Sequence, residues 1–222
     1  MATNPSIPSI SDAAQHMGVD LAPAQLDQLQ RYLALVQKWN RVYNLTALRD
    51  PADMLTHHLF DSLSVIAPLQ RQLAQMGVPV AGARLLDVGS GAGLPGVVMA
   101  IGCPGLSVTC VDTVGKKAAF VQQVALDLRL PTLRGLHARV ETLTDPFDVV
   151  SSRAFASLVD FTNWSRAALA PTGVWLAMKG KQPVDEMAAL PADVEVFHVE
   201  HLTVPALDAE RCIIWMRQSL AG

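Results

Sequence analysis

Apolar residues between Pro23 and Tyr43 recur every three or four positions, at Leu26, Leu29, Leu33, Val36, Trp39 and Val42. That spacing predicts an amphipathic helix with one buried stripe. Asp50-Pro51 reads as a second helix start, with the acid as N-cap and proline at the first position. Residues 1–75 therefore read as all-helical, opening with a loose arm over 1–20 that holds one short helical piece. From Ala83 the pattern changes. "ARLLDV" predicts a short strand buried on both faces. "LSVTCVD", "TLRGLHARV", "FDVVSSRAF" and "GVWLAMKG" supply four more strands, with helices predicted at "KKAAFVQQVALDL" and "LVDFTNWSRAAL". Strands alternating with helices predict an α/β fold with a doubly wound, mostly parallel sheet. The end differs: "DVEVFHVEHLTV" and "ERCIIWMRQ" are two strands with no helix between them, so an antiparallel pair is expected at the C-terminal edge. The division is a helical extension over 1–75 and a sheet-bearing part over 76–222, together one compact unit.

Composition narrows the class. The chain has 222 residues, half of them apolar, 17% charged, with a net charge of −3. That balance argues against a protein coated in nucleic acid, though a local basic patch can still bind phosphates. "MATNPSIPSISDAAQ" has neither the basic nor the apolar region of a signal peptide, and no run of 18 apolar residues predicts a membrane span. Cys103, Cys110 and Cys212 are odd in number and lie among apolar residues. They read as buried free thiols in a reducing cytoplasm. No cysteine or histidine spacing suggests a metal.

The candidate chemistry lies in "LLDVGSGAGLPG", Leu85 to Gly96. Asp87 ends the first strand, Gly89, Gly91 and Gly93 follow, and Pro95 and Gly96 open a helix. Glycine there accepts positive φ and lets a ligand approach the backbone. The same letters contain a dinucleotide-type G-x-G-x-x-G beginning at Gly91. An acid directly ahead of the loop would repel a pyrophosphate. It suits a cationic amino-acid part, and so points to S-adenosylmethionine, with Asp87 facing the ammonium. Asp112 ends the second strand, where an acid accepts ribose hydroxyls from either cofactor class.

Eight stretches carry a family resemblance: "WNRVYNLTALRDPADML", "HLFDSL", "LLDVGSGAGLPG", "VGKKAAFVQ", "ARVETL", "SSRAFASL", "AMKGKQP" and "VPALDAER". With them the chain resembles, over nearly its whole length, the bacterial 16S ribosomal RNA guanine-N7 methyltransferases, also called glucose-inhibited division protein B. The resemblance implies a class I (Rossmann-like) methyltransferase fold over 76–222, S-adenosyl-L-methionine as cofactor and S-adenosyl-L-homocysteine as product. It implies 16S rRNA or the small ribosomal subunit as partner, and guanine 527 as target. Neither DNA nor a membrane is implied, and a monomer is expected. Carried over by position, the resemblance sets Gly89 and Leu94 against the cofactor, Val140 and Glu141 at its adenine, and Arg153 at the site. One departure is visible: His57-His58 stands where the family commonly has Arg-His.

The implied chemistry is an in-line displacement at a methyl carbon. Guanine N7 carries a free lone pair at neutral pH, so no catalytic base is expected and positioning is the main task. Candidate RNA contacts are Lys116 and Lys117 after the second strand, Arg153 after the fourth, and Lys179 and Lys181 after the fifth, all at carboxyl ends of parallel strands. Arg41 and Arg49 of the extension could join them. For each lysine a solvated surface charge is an equal reading. Arg153 is expected on an RNA phosphate or the cofactor carboxylate, because a cation on the base would oppose the charge developing there. Of His57 and His58, one is expected packed and one exposed. Trp39, Trp164 and Trp215 read as core, and Asn44 reads equally as a substrate contact or as a turn or cap. Two other readings stay open: a same-fold methyltransferase for a small molecule, and a non-catalytic nucleotide- or RNA-binding module.

Overall fold

The computed structural model describes residues 7–219; the first six residues of the expected arm and the last three of the chain lie outside them. α1 (Ile10–His16) is capped by Ser9, whose side chain accepts from the Asp12 N–H. α2 (Pro23–Tyr43) begins at a proline and ends at Asn44, which takes the left-handed C-cap conformation at φ 49°. Leu29, Tyr32, Val36 and Asn40 form its buried line. The stripe is therefore rotated from the expected one, and Val42 is 70% exposed. Asp50 does cap the next helix, accepting from the N–H groups of Ala52 and Asp53.

That helix departs from a regular α form. A first turn, α3 (Pro51–Asp53), passes into a π-helical segment (Met54–Phe60) and returns as α4 (Asp61–Leu63). Such widened segments are rare and occur often at functional sites. Here it carries His57 and His58. α5 (Ile66–Gln75) completes the helical region.

The sheet contains β1 (Arg84–Val88), β2 (Ser107–Asp112), β3 (Leu133–His137), β4 (Phe147–Arg153), β5 (Leu169–Lys179), β6 (Val194–Leu202) and β7 (Arg211–Gln218). Their spatial order is β3-β2-β1-β4-β5-β7-β6. Strands β1 to β5 are parallel, and β7 runs antiparallel between β5 and β6. The expected C-terminal pair is present, with its second strand inserted on the inside. The helices are α6 (Gly96–Gly102), α7 (Gly115–Asp127), α8 (Leu158–Ser165) and α9 (Val184–Ala188).

Alternation along the strands divides the core in two. Leu85, Val108, Val149, Leu176 and Trp215 face one layer, which contains α6, α7 and the N-terminal helices. Leu86, Val111, Val150, Trp175 and Ile214 face the other, which contains α8. Period-two alternation of buried apolar residues on both faces is what a sheet covered on both sides requires. The chain order reverses between β1 and β4, and ligands bind outside the carboxyl ends at such a point. All three cysteines are free and buried. Among the described residues no helix is long and apolar enough to cross a membrane.

Candidate functional site

Asp87 lies in the middle of the sheet, paired in register with Cys110 of β2 and Ser151 of β4. Its Oδ2 accepts from the Gly96 N–H at 2.9 Å and its Oδ1 from the Ser151 hydroxyl at 2.9 Å. It is fully buried. Burial pushes its carboxyl up to about 6, against the lowering effect of those two donors. The expected contact with a ligand ammonium is therefore corrected. Asp87 ties β1 to the start of α6 and lines neither cavity of the site, its two oxygens engaged by the Gly96 N–H and the Ser151 hydroxyl.

The three loop glycines do different things. Gly89, Gly91 and Gly93 all have positive φ, at 65°, 59° and 87°. A Cβ on Gly89 would overlap the Phe155 ring, and one on Gly93 would overlap Val97. Gly93 packs against Val97 and borders neither cavity of the site. A Cβ on Gly91 meets no heavy atom within 4 Å. That backbone is open, and Gly91 lies in the wall of a cavity.

Two cavities meet at Gly89. The smaller, of 390 Å³, is bounded by Asp112, Val140, Glu141, Lys117, Phe155 and Trp164. The larger, of 580 Å³, is bounded by Gly91, Leu94, Thr46, His57, Arg153 and Arg211. Asp112 accepts from Gly91 N–H at 3.0 Å and Val114 N–H at 2.8 Å, so it also fixes the loop. Its carboxylate stands 3.8 Å from the Lys117 ammonium.

Arg153 is held from the helical side. Its Nη1 donates to Asp61 Oδ2 and to the His57 carbonyl, each at 2.8 Å. Asp61 Oδ1 accepts from Arg211 Nε at 2.7 Å. One buried carboxylate thus joins two cations, 150 residues apart in the case of Arg211. The cluster carries an excess of one positive charge at the cavity wall, which favours an anionic ligand group there. Asp61 and Arg211 were not singled out from the sequence, although each lies in a stretch that carried the resemblance, "HLFDSL" and "VPALDAER".

The histidine pair divides as expected in part. His58 is buried, and burial followed by the nearby Arg153 charge lowers its pKa to about 4. His57 is half-buried in the cavity wall, its Nδ1 3.0 Å from the Thr56 hydroxyl. Trp215 is core, and Trp39 packs partly buried against the core; Trp164 is 40% exposed beside the smaller cavity, which corrects its assignment to the core.

The lysines separate. Lys179 lines the larger cavity and pairs with Glu186 at 2.9 Å. Lys117 borders the smaller cavity rather than the side expected for RNA. Lys116 and Lys181 are exposed and border neither cavity. Arg41 and Arg49 line a separate small depression on the helical region.

The chain is similar to known proteins over nearly its whole length. The model of the family described as rRNA small subunit methyltransferase G matches residues 25–214. A ribosomal RNA small subunit methyltransferase G of Acidovorax sp. (strain JS42) is 67% identical over 212 residues, covering 94% of each chain. One from Methylibium petroleiphilum is 57% identical over 210 residues, covering 94% of this chain and 93% of that one. Among solved structures, a SAM-dependent methyltransferase from Aquifex aeolicus superposes with a TM-score of 0.55 at 16% identity. It covers 78% of this chain, and this chain covers 96% of it.

Proposed function

The chain belongs to the rRNA small subunit methyltransferase G family, and from that premise we propose that it transfers a methyl group from S-adenosylmethionine to N7 of guanine 527 in 16S rRNA. The observation that carries this reading is the junction at Gly89 of two cavities, one bordered by Asp112 and the other by the arginine cluster.

The residues present fit the cofactor. Asp112 accepts the ribose hydroxyls at the end of β2. Val140 and Glu141 border the adenine. Gly89, open Gly91 and Leu94 follow the chain toward the amino-acid end, where the Arg153 guanidinium suits a carboxylate. Asp87 supports this loop from beneath. When bound, S-adenosylmethionine supplies a methyl carbon activated by an adjacent sulfonium.

The protein's own part is positioning. N7 needs no deprotonation, so the enzyme has to hold the base in line and exclude water. Arg211 and Lys179, on the rim of the larger cavity, are placed for RNA phosphates. The extension contributes Thr46, His57 and Asp61 to the wall of this cavity, and the sheet-bearing part is the body that binds the cofactor. The partner is 16S rRNA or the small ribosomal subunit in the cytoplasm, and the enzyme acts as a monomer.

Calorimetry tests the cofactor: S-adenosylmethionine and S-adenosylhomocysteine should bind, and NAD should not. Mass analysis of 16S rRNA from a strain lacking the protein should show the loss of one N7-methylguanine, restored when the purified enzyme and cofactor are added. NAD binding without a response to S-adenosylmethionine, or an unchanged rRNA, would overturn the proposal.

A further inference from the structure

Thr46, in the loop between α2 and α3, borders the larger cavity. Its position is fixed by Asn40, a buried residue of α2. Asn40 Oδ1 accepts from the Thr46 backbone N–H at 2.9 Å, and Asn40 Nδ2 donates to the Leu48 carbonyl at 3.0 Å. The Thr46 side chain is equally constrained. Its Oγ1 accepts from the Leu48 N–H at 3.2 Å and lies 2.7 Å from His58 Nε2.

The direction of that second contact depends on the tautomer of His58. Its Nδ1 faces Arg153 Nη2 at 3.5 Å, and a guanidinium can only donate. His58 is also neutral near pH 7, since burial lowers its pKa to about 4. A neutral imidazole that accepts at Nδ1 carries its hydrogen on Nε2. A hydrogen on Nδ1, shared with the His57 carbonyl, would make Thr46 donate to His58 instead; in the tautomer that accepts from Arg153, His58 donates to Thr46. The Thr46 oxygen then has both lone pairs engaged, and its own hydrogen is what it can still offer. Among the described residues no other protein acceptor is hydrogen-bonded to it.

The reaction needs such a donor. Guanine presents two acceptors on its major-groove edge, N7 and O6. N7 must stay free to attack, which leaves O6 as the acceptor by which that edge can be held. Attack makes the ring cationic, so a cation on O6 would oppose the reaction, and Arg153, Arg211 and Lys179 are poorly suited. A hydroxyl backed by a neutral imidazole adds no charge. Adenine carries an amino group in place of O6, and two donors would then face each other.

We propose that the Thr46 hydroxyl donates to O6 of the target guanine and thereby selects guanine over adenine. This rests on the functional reading above. The backing from His58 and Asn40 makes both of them positioning residues for Thr46.

The test uses 16S rRNA ligated to carry guanine, inosine or 2,6-diaminopurine at the target position. Inosine keeps O6 and N7, whereas diaminopurine keeps N7 and replaces O6 with an amino group. The wild type should methylate inosine within a few-fold of guanine, and diaminopurine with kcat/KM lower by about tenfold or more. Thr46→Val should lose about tenfold on guanine with little change on diaminopurine, so that the ratio collapses toward one. Thr46→Ser should restore it. The ratio is taken within each variant, so a partly unfolded preparation does not distort it. Wild-type enzyme that accepts diaminopurine as well as guanine would overturn the proposal. So would a preserved ratio in Thr46→Val, including the case where that variant instead binds S-adenosylmethionine more weakly, which would place the hydroxyl at the cofactor. Absence of any transfer to the guanine RNA by the wild type would remove the parent reading and this one together.

Discussion

The hydroxyl of Tyr32, midway along α2, donates to the Ala92 carbonyl in the glycine loop at 2.7 Å, and both residues are buried. One side chain thus links the N-terminal helices to the backbone beside open Gly91. Tyr32→Phe keeps the ring and its packing but leaves a buried carbonyl without its partner. We expect a stability loss of about 1–3 kcal/mol, the cost of such an unsatisfied group. In a chain of this size that lowers Tm by roughly 2–4 °C per kcal/mol. The loop should also loosen, so calorimetry should show weaker S-adenosylmethionine binding by more than the small unfolded fraction explains. Unaltered affinity would show that the loop is held without the extension.

The loop glycines should respond differently to alanine. Gly91→Ala meets open space, so its cost to folding is limited to the positive φ, about 1 kcal/mol. Its methyl group would stand in the larger cavity, and S-adenosylmethionine affinity should fall at least tenfold. Gly93→Ala has the same φ problem and also overlaps Val97. It should cost a further 1–3 kcal/mol from overpacking. Thermal unfolding and cofactor titration of both variants check this. Equal melting temperatures would mean that the two glycines are not divided between ligand and core.

What could be read from the sequence was whatever is local or periodic. Short apolar runs bounded by turns found β1 to β7, and Asp50-Pro51 found a true helix start. Other features depend on groups far apart in the chain. The Asp87 carboxylate looked free because its partners, Gly96 N–H and the Ser151 hydroxyl, are supplied by the start of α6 and by β4. The Asp61–Arg211 contact crosses the whole chain, and neither residue has a neighbour in sequence that announces it. The placement of β7 inside β6 agrees with its unbroken apolar run Cys212–Met216, buried on both faces, against the mixed exposure of β6; chain order alone suggested the reverse. The π segment at Met54–Phe60 keeps helical periodicity in its letters, and only its hydrogen bonding reveals the wider turn.

Asp61 should be the most sensitive acidic residue at the site. Removing its charge leaves Arg153 and Arg211 facing one another without a counterion. Breaking one side of a buried ion pair costs about 3–5 kcal/mol, and the low end applies because both arginines retain some solvent contact. Asp61→Asn keeps the shape and should destabilise by about 3 kcal/mol in urea unfolding. Arg211→Met leaves one cation for the one carboxylate and should cost less, while reducing RNA binding and making its salt dependence shallower by about one counterion. An Asp61→Asn variant as stable as the wild type would mean that the arginines turn to solvent at no cost.

Stability between pH 4 and pH 6 should reflect two opposed buried groups. His58 is lowered from its ordinary 6.5 to about 4. Over that interval the unfolded chain binds more protons at this position, so its contribution grows as pH rises and is lost on acidification. Asp87 is raised from 3.8 to about 6. There the folded chain binds more protons, so that contribution is present below 3.8 and is lost as pH rises through about 6. The two slopes oppose each other in the wild type. Asp87→Asn removes the falling one, so its stability should climb with pH relative to the wild type, by at most about 1.4 kcal/mol per pH unit. His58→Gln removes the rising one and should decline relative to the wild type over the same range. Urea unfolding at several pH values reads the slopes, which are independent of each substitution's fixed cost. Curves parallel to the wild type in both variants would exclude these two groups and leave the pH dependence to the exposed carboxylates.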